Sequence, residues 1–172
     1  MTVTIDGTTG VSLVQDGVIT DANLPAGSVL QVVQGSTSTS SSNTTASFAD
    51  TGLSASITPS STSSKILIIV DQHAIMERRG DQNIGMGYRI LRDSTVVAGG
   101  ETNSELYFSD ANGNTNLDIY QRQNRVYLDS PSTTSAITYK TQGRPDQTAN
   151  GGKAGFNIGG ITSYITLMEI AG

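Results

Sequence analysis

The sequence predicts an all-β fold, an antiparallel jelly-roll-like sandwich preceded by an extended N-terminal docking segment. Three observations carry this reading. The 172 residues include 22 Thr, 21 Ser and 19 Gly, and only 35% are hydrophobic, the composition of short strands joined by polar turns. Apolar residues recur in short runs bounded by turn residues, and no amphipathic stretch of helical length lies between them. The length suits one compact domain plus an extension.

Residues 2–27, TVTIDGTTGVSLVQDGVITDANLPAG, hold short alternating pieces separated by DG and TG turns. So few apolar side chains cannot build a core, so the segment is either disordered or docked on another surface by strand addition; its strand-and-turn punctuation favours docking, through Val3, Ile5, Val11, Leu13, Val18 and Ile19. Asn23 to Gly27 reads as a boundary turn, which divides the chain into an anchoring segment, 1–27, and a β head, 28–172.

Within the head, strands are expected at 28–34, 53–59, 65–75, 84–93, 95–99, 117–129, 134–142 and 161–170. The run Ile66 to Val70 is continuously apolar, which places that strand in the middle of the sandwich. GSTSTSSSNTT at 35–45 is of low complexity and is expected to be a solvent-exposed loop that does not pack.

Charge is also unevenly placed, with its break at 64/65. Residues 1–64 carry Asp6, Asp16, Asp21 and Asp50 and no Lys, Arg or His, whereas all ten Lys and Arg lie in 65–172. An acidic stretch without cations takes its structure from backbone pairing or from a partner. The net charge of −5 argues against binding the nucleic-acid backbone by bulk charge. The absence of Cys excludes disulfides and thiolate chemistry, and a single His excludes a multi-histidine metal centre. No apolar run reaches the eighteen or so residues of a membrane span, and MTVTIDGTTG lacks the features of a signal peptide, so synthesis in the cytoplasm is expected.

Candidate chemistry is sparse. Asp71 and His73 lie two apart on a predicted strand and so leave the same face. With no GxSxG elbow and a poor geometry for aiming Asp at His, a surface or interface histidine is the favoured reading and no catalytic residue is assigned. Asp110, Asn112, Asn114 and Asp118 place oxygen ligands at alternate positions, as in a calcium loop. Thr115 stands where such a loop needs Gly and Gln121 where it needs Glu, so an Asn/Gly turn is preferred and no cofactor is expected. Arg78-Arg79-Gly80-Asp81 reads as a hairpin turn, and the arginines from 78 to 144 as partners for Glu77, Asp81, Asp93, Asp118 and Asp129. Tyr107, Tyr120 and Tyr127 suit sugar stacking or an ordinary strand face.

The segments SVLQVVQ (28–34), SFADTGLSASITPSSTSSKILIIV (47–70), GYRILRDSTVV (87–97) and SYITLMEIAG (163–172) together resemble a domain of virion appendage proteins of tailed bacteriophages. In that family a short N-terminal segment with motifs like DGTTGV (6–11 here) attaches to the particle. A trimeric jelly-roll head, similar to the tumour-necrosis-factor and complement C1q heads, projects outward. The resemblance covers 28–172 and, more loosely, 1–27. It implies a non-enzymatic structural protein, a homotrimeric capsid decoration protein, head fibre or short fibre. Its partners would be its own copies and the major capsid or another virion protein, and its place the virion, assembled in the host cytoplasm. The alternative is a lectin-like tail-fibre module that binds host surface glycan through the 100–118 loops, with Tyr107 and Asn112 as contacts. The few residues before the head carry no collagen-like or coiled-coil repeat, which favours a decoration protein or short head fibre over a long tail fibre.

Overall fold

Alternation of inward apolar and outward polar residues shapes eleven strands in the computed structural model, which describes residues 24–79, 83–100, 106–109 and 116–172. They are β1 (Val29–Thr37), β2 (Ser41–Asn43), β3 (Ala49–Ile57), β4 (Lys65–Arg78), β5 (Asn83–Arg92), β6 (Thr95–Gly99), β7 (Leu106–Ser109), β8 (Leu117–Asp129), β9 (Ile137–Pro145), β10 (Lys153–Phe156) and β11 (Ser163–Ile170). All recorded pairings are antiparallel.

Two sheets face each other. The first runs β1-β11-β4, with β10 and then β2 continuing beside the second half of β4, and β8 along the other side of β4. The second runs β3-β9-β5, where β5 is followed by β6 and, farther along its length, by β7. Successive strands β3, β4 and β5, and again β7, β8, β9 and β10, switch sheets, the wrapping of a jelly roll. The 79–83 connection is one such crossing, so the expected hairpin is corrected: β4 and β5 lie in different sheets and cannot form one.

β4 holds the centre of the first sheet, as its apolar run predicts, with Ile66, Ile68, Val70, Ala74 and Met76 turned into the core. Opposite them lie Leu53, Ala55 and Ile57 of β3, Ile84, Met86 and Ile90 of β5, and Ile137 of β9. Two close approaches require glycine. A Cβ on Gly35 would fall 2.0 Å from the Ser54 carbonyl oxygen, so β1 can lie against β3 only without one. A Cβ on Gly143 would fall 2.2 Å from the Phe156 ring, which fills that space beside Tyr88, their ring centroids 6.2 Å apart.

The core is not wholly apolar. Gln72 of β4 is fully buried and accepts from the Tyr88 hydroxyl at 2.6 Å and the Thr141 hydroxyl at 2.8 Å, while its amide donates to Thr51 Oγ1 at 2.8 Å. Thr51 and Thr141 close the ring at 2.5 Å. These four side chains come from β4 on one sheet and β3, β5 and β9 on the other. Nearer one end, Asp129 of β8 accepts from Arg92 at 2.8 Å and from the Tyr139 hydroxyl at 2.7 Å. Burial, and then the Asp129 carboxylate, push the Tyr139 phenol well above its ordinary range.

The 35–45 segment departs from expectation. β1 continues to Thr37, Ser41–Asn43 pairs with β10, and Asn43 is buried, its amide donating to the Gly143 carbonyl at 3.0 Å and the Ser47 carbonyl at 2.7 Å. Polar composition hid this because the packing is done by backbone pairing and one buried amide. Likewise β10 (KAGF) and β7 (LYFS) are too short to announce themselves.

Truncating Gln72 to Ala strips partners from three buried hydroxyls and opens a cavity. A loss of roughly 3 kcal/mol in urea unfolding is expected, against about 1 kcal/mol for Tyr88→Phe, which leaves the Gln72 amide oxygen bonded to Thr141. Equal losses for the two variants would count against the bridge.

Candidate functional site

The two outer faces of the sandwich differ in kind. On the first sheet, the register sets outward side chains in rows across four strands: Val32, Met168, Leu67 and Leu128, then Gln34, Thr166, Ile69 and Val126. Val32, Leu128 and Val126 are 56%, 48% and 70% exposed. Gln34 is bonded to Thr166 at 3.0 Å, so its amide is partly satisfied within the row. The next row, Ser36, Tyr164, Asp71 and Asn124, is polar except for the Tyr164 ring.

The second sheet's outer face carries Ser54, Ser56, Thr138, Lys140, Gln142 and Arg89. Asp50 accepts from Lys140 at 2.8 Å and from Gln142 at 2.6 Å, and Gln142 accepts from Arg89. Burial works to raise the Asp50 pKa, but the bonds from Lys140 and Gln142 outweigh it and hold the carboxyl below its ordinary range. The Arg89 guanidinium lies 4.0 Å from the Phe48 ring centroid, a cation-π contact with the half-buried aromatic. Across β3 and β9 this face is polar and internally paired, and toward β6 and β7 it carries Leu91, Val96 and the exposed Tyr107.

Asp71 and His73 do share the outer face of β4, but Asp71 pairs with Arg122 at 3.3 Å. His73 is buried, which corrects the surface half of the surface-or-interface reading: its backbone N–H donates to Ser163 Oγ at 2.9 Å, its carbonyl accepts from the Asn157 N–H, and its ring lies near Tyr120. Burial, and then the Arg122 charge, lower its pKa and favour the neutral imidazole. Of the residues that the sequence offered as cation ligands, Asp118 is ion-paired with Arg79, and Asp110, Asn112 and Asn114 lie outside the described residues. Tyr107 is exposed on β7, inside the stretch read as loop. The docking residues Val3, Ile5, Val11, Leu13, Val18 and Ile19, with Gly80 and Asp81, also lie outside the described residues. Arginine pairing meets expectation at Asp129 and Asp118, whereas Asp93 accepts from the Thr138 backbone N–H.

Asn157 and Glu169 are among the buried polar residues not singled out from the sequence. Asn157, in the left-handed region at φ 55°, accepts from the Ser163 hydroxyl and reaches the Thr39 carbonyl with its amide. Glu169 is fully buried and accepts from Ser60 N and Oγ, each at 2.7 Å, and from the Gln31 amide at 2.6 Å. The signal for Glu169 was available in the phase of SYITLMEI, where Ser163, Ile165, Leu167 and Glu169 all point inward. Asn157 gave no such signal beyond the glycines that follow it.

No protein-family model matches the chain, and no curated protein matches it. Among solved structures, the VP2 subviral particle of infectious bursal disease virus overlays it with a TM-score of 0.41 at 12% identity, over 84% of this chain and 34% of that one. T=1 particles derived from the same virus give 0.38 at 13% identity, over 84% of this chain and 37% of that one. This chain therefore spans about a third of the length of those viral chains. Superpositions this loose establish neither a shared fold nor a shared role.

Burial works to raise the Glu169 pKa, but the bonds from Gln31 and Ser60 outweigh it and hold the carboxyl below the ordinary 4.5. Its contribution to stability is therefore present above that value and is lost as pH falls through the lower, folded value. Chemical denaturation across the acid range is expected to show a less steep loss of stability for Glu169→Gln than for the native chain. An unchanged acid slope would remove Glu169 as a source of it.

Proposed function

We propose that the chain is a structural component of a bacteriophage virion: a homotrimeric capsid decoration protein, head fibre or short fibre that docks through residues 1–27 and displays the β head. The observation that carries this reading is the contrast between the outer faces, one polar and internally paired across β3 and β9, the other apolar across four strands. A sandwich with one apolar outer face is suited to being covered in an assembly while its opposite face meets water.

The anchoring segment supplies the other half of the reading. Val3, Ile5, Val11, Leu13, Val18 and Ile19 alternate in short runs between turns, the pattern of strands that pair with a neighbouring edge. Asp6, Asp16 and Asp21, with no cation in the segment, suit a basic groove on the receiving protein. Three copies of a weak anchor on one trimer would engage together and raise the apparent affinity.

Exposed Tyr107 on β7 favours a second activity in the same molecule, contact with host surface glycan. Binding on a glycan array that disappears with Tyr107→Ala would establish it, and silence across a broad array would remove it.

Deleting residues 2–22 is expected to leave a head with unchanged circular dichroism and thermal midpoint that no longer copurifies with particles assembled from the remaining virion proteins. Normal incorporation of the shortened chain would sink the anchor assignment.

A further inference from the structure

We infer that His73 is a proton-operated latch on the 157–162 connection between β10 and β11: neutral, it holds the connection against β4, and protonated, it lets it go. This is a property of the head itself and goes beyond the assembly reading above.

The first sheet has a gap beside His73. β10 pairs with β4 from Glu77 as far as Ala74, and β11 takes over at Asp71, so beside Gln72 and His73 the place of a neighbouring strand is taken by the connection alone. Two bonds close that gap, and both are made by the His73 backbone: its N–H donates to Ser163 Oγ at 2.9 Å, and its carbonyl accepts from the Asn157 N–H at 3.2 Å. The Ser163 hydroxyl donates in turn to Asn157 Oδ1, which joins the two anchors. A third hold comes from β8, where Arg122 donates to the Thr162 carbonyl at 3.0 Å while pairing with Asp71 at 3.3 Å. Asn157 is held separately by Ser40 and Thr39, and Ser163 begins β11, so release is local to the stretch between them.

The ring of the same residue is where a proton acts. His73 is 6% exposed, and its Nδ1 is buried with no hydrogen-bond partner. On β4, Asp71 and Glu77 share its face, Asp71 paired with Arg122 and Glu77 bonded to Lys153 of β10 at 2.7 Å. On β8, Arg122 stands opposite it in the ladder and the Tyr120 ring centroid lies 6.2 Å away. The near end of β11 adds Tyr164, opposite Asp71, and the connection itself, NIGGIT, adds no titratable group. An imidazolium in this place has a cation across the ladder, no acceptor at Nδ1 and no acid that is not already engaged. Such a charge either turns out toward water or draws Asp71 away from Arg122. The first moves the residue that anchors the connection, and the second frees the arginine that holds Thr162.

Burial, and then Arg122, keep the His73 pKa below the ordinary 6.5. The open form therefore takes up the proton more readily, so the connection is held at and above 6.5 and is released as pH falls through the lower, closed-state value. No other histidine is present to titrate in that window, and Glu169 responds only below 4.5. Ile75 points outward on β4 yet is 1% exposed, and it shares the space over Gly155 with Ile158 of the connection, so release uncovers an apolar side chain in mild acid.

The test is nuclear magnetic resonance of the full chain, titrated from about pH 8 to about pH 5. The expected result is an imidazole midpoint below 6.5 and amide resonances of 157–163 that shift or broaden with that same midpoint. Protection of the Asn157 N–H against hydrogen exchange is expected to fall by roughly tenfold or more, while the β1–β11 ladder is unmoved. His73→Gln, which cannot take up the proton, is expected to lose the response, and Arg122→Gln, which removes the like charge, to move the imidazole midpoint up. An imidazole midpoint at or above 6.5, a titration that leaves 157–163 unmoved, or a folded His73→Gln that keeps the response would each overturn the proposal. Should His73→Gln not fold, an Arg122→Gln midpoint that fails to rise overturns it instead.

Discussion

The hydrogen bonds that Gln72 makes across the core are the constraint on which the two sheets depend for their relative position. A core of Ile, Leu and Val holds sheets together without direction, because apolar contact is nearly indifferent to sliding. A buried amide that must satisfy its oxygen from Tyr88 and Thr141 and its nitrogen through Thr51 is not indifferent. A shift of one residue on either sheet would strand several polar groups in a low-dielectric interior, so the polar ring fixes the register that the apolar residues leave loose. Asp129 with Arg92 and Tyr139 repeats the arrangement toward one end, and Glu169 with Gln31 and Ser60 ties β11 to β1 and to the connection after β3. The lean, hydroxyl-rich composition thus has a structural use inside the fold as well as in its turns.

Most of the architecture was legible where side chains act by alternation. The strand at 117–129 and the strand at 95–99 fall where the pattern puts them, and the apolar run after Lys65 lies at the centre of its sheet. Legibility failed where backbone or a single polar atom does the work. Ser41–Asn43 looks like loop because nothing in SSN is apolar, yet it pairs with β10 and buries an amide. His73 reads as a surface or interface residue from its local sequence, yet it is buried, with its backbone bonded to residues ninety and eighty-four positions away, Ser163 and Asn157. The apolar outer face is the clearest instance. Each of its strands contributes only one or two residues, so no window of sequence shows it, and only the cross-strand register assembles it.

The contrast between the faces orders the functional reading. Polar residues on the second sheet bond to each other and leave little unsatisfied, which suits permanent contact with solvent. The first sheet has spent its inward positions on the core and presents aliphatic side chains outward as well, so β4 carries apolar residues on both sides over Ile66 to Val70. That double-sided pattern is what a strand shows when both of its faces are to be covered.

The ends of the described chain bear on how such a head would carry load. Gly27 donates to the Ala171 carbonyl and Ala171 to the Ser28 carbonyl, each at 2.8 Å, and from there β1 runs antiparallel to β11 as far as Thr37 and Ser163. Tension applied through the residues before β1 would therefore act along that strand, in shear, on a whole ladder of hydrogen bonds loaded together. The same ladder pulled from its edge would open one bond at a time. A head tethered through those residues would resist drag with the whole of that ladder at once, because the strand next to the tether is the one zipped to β11.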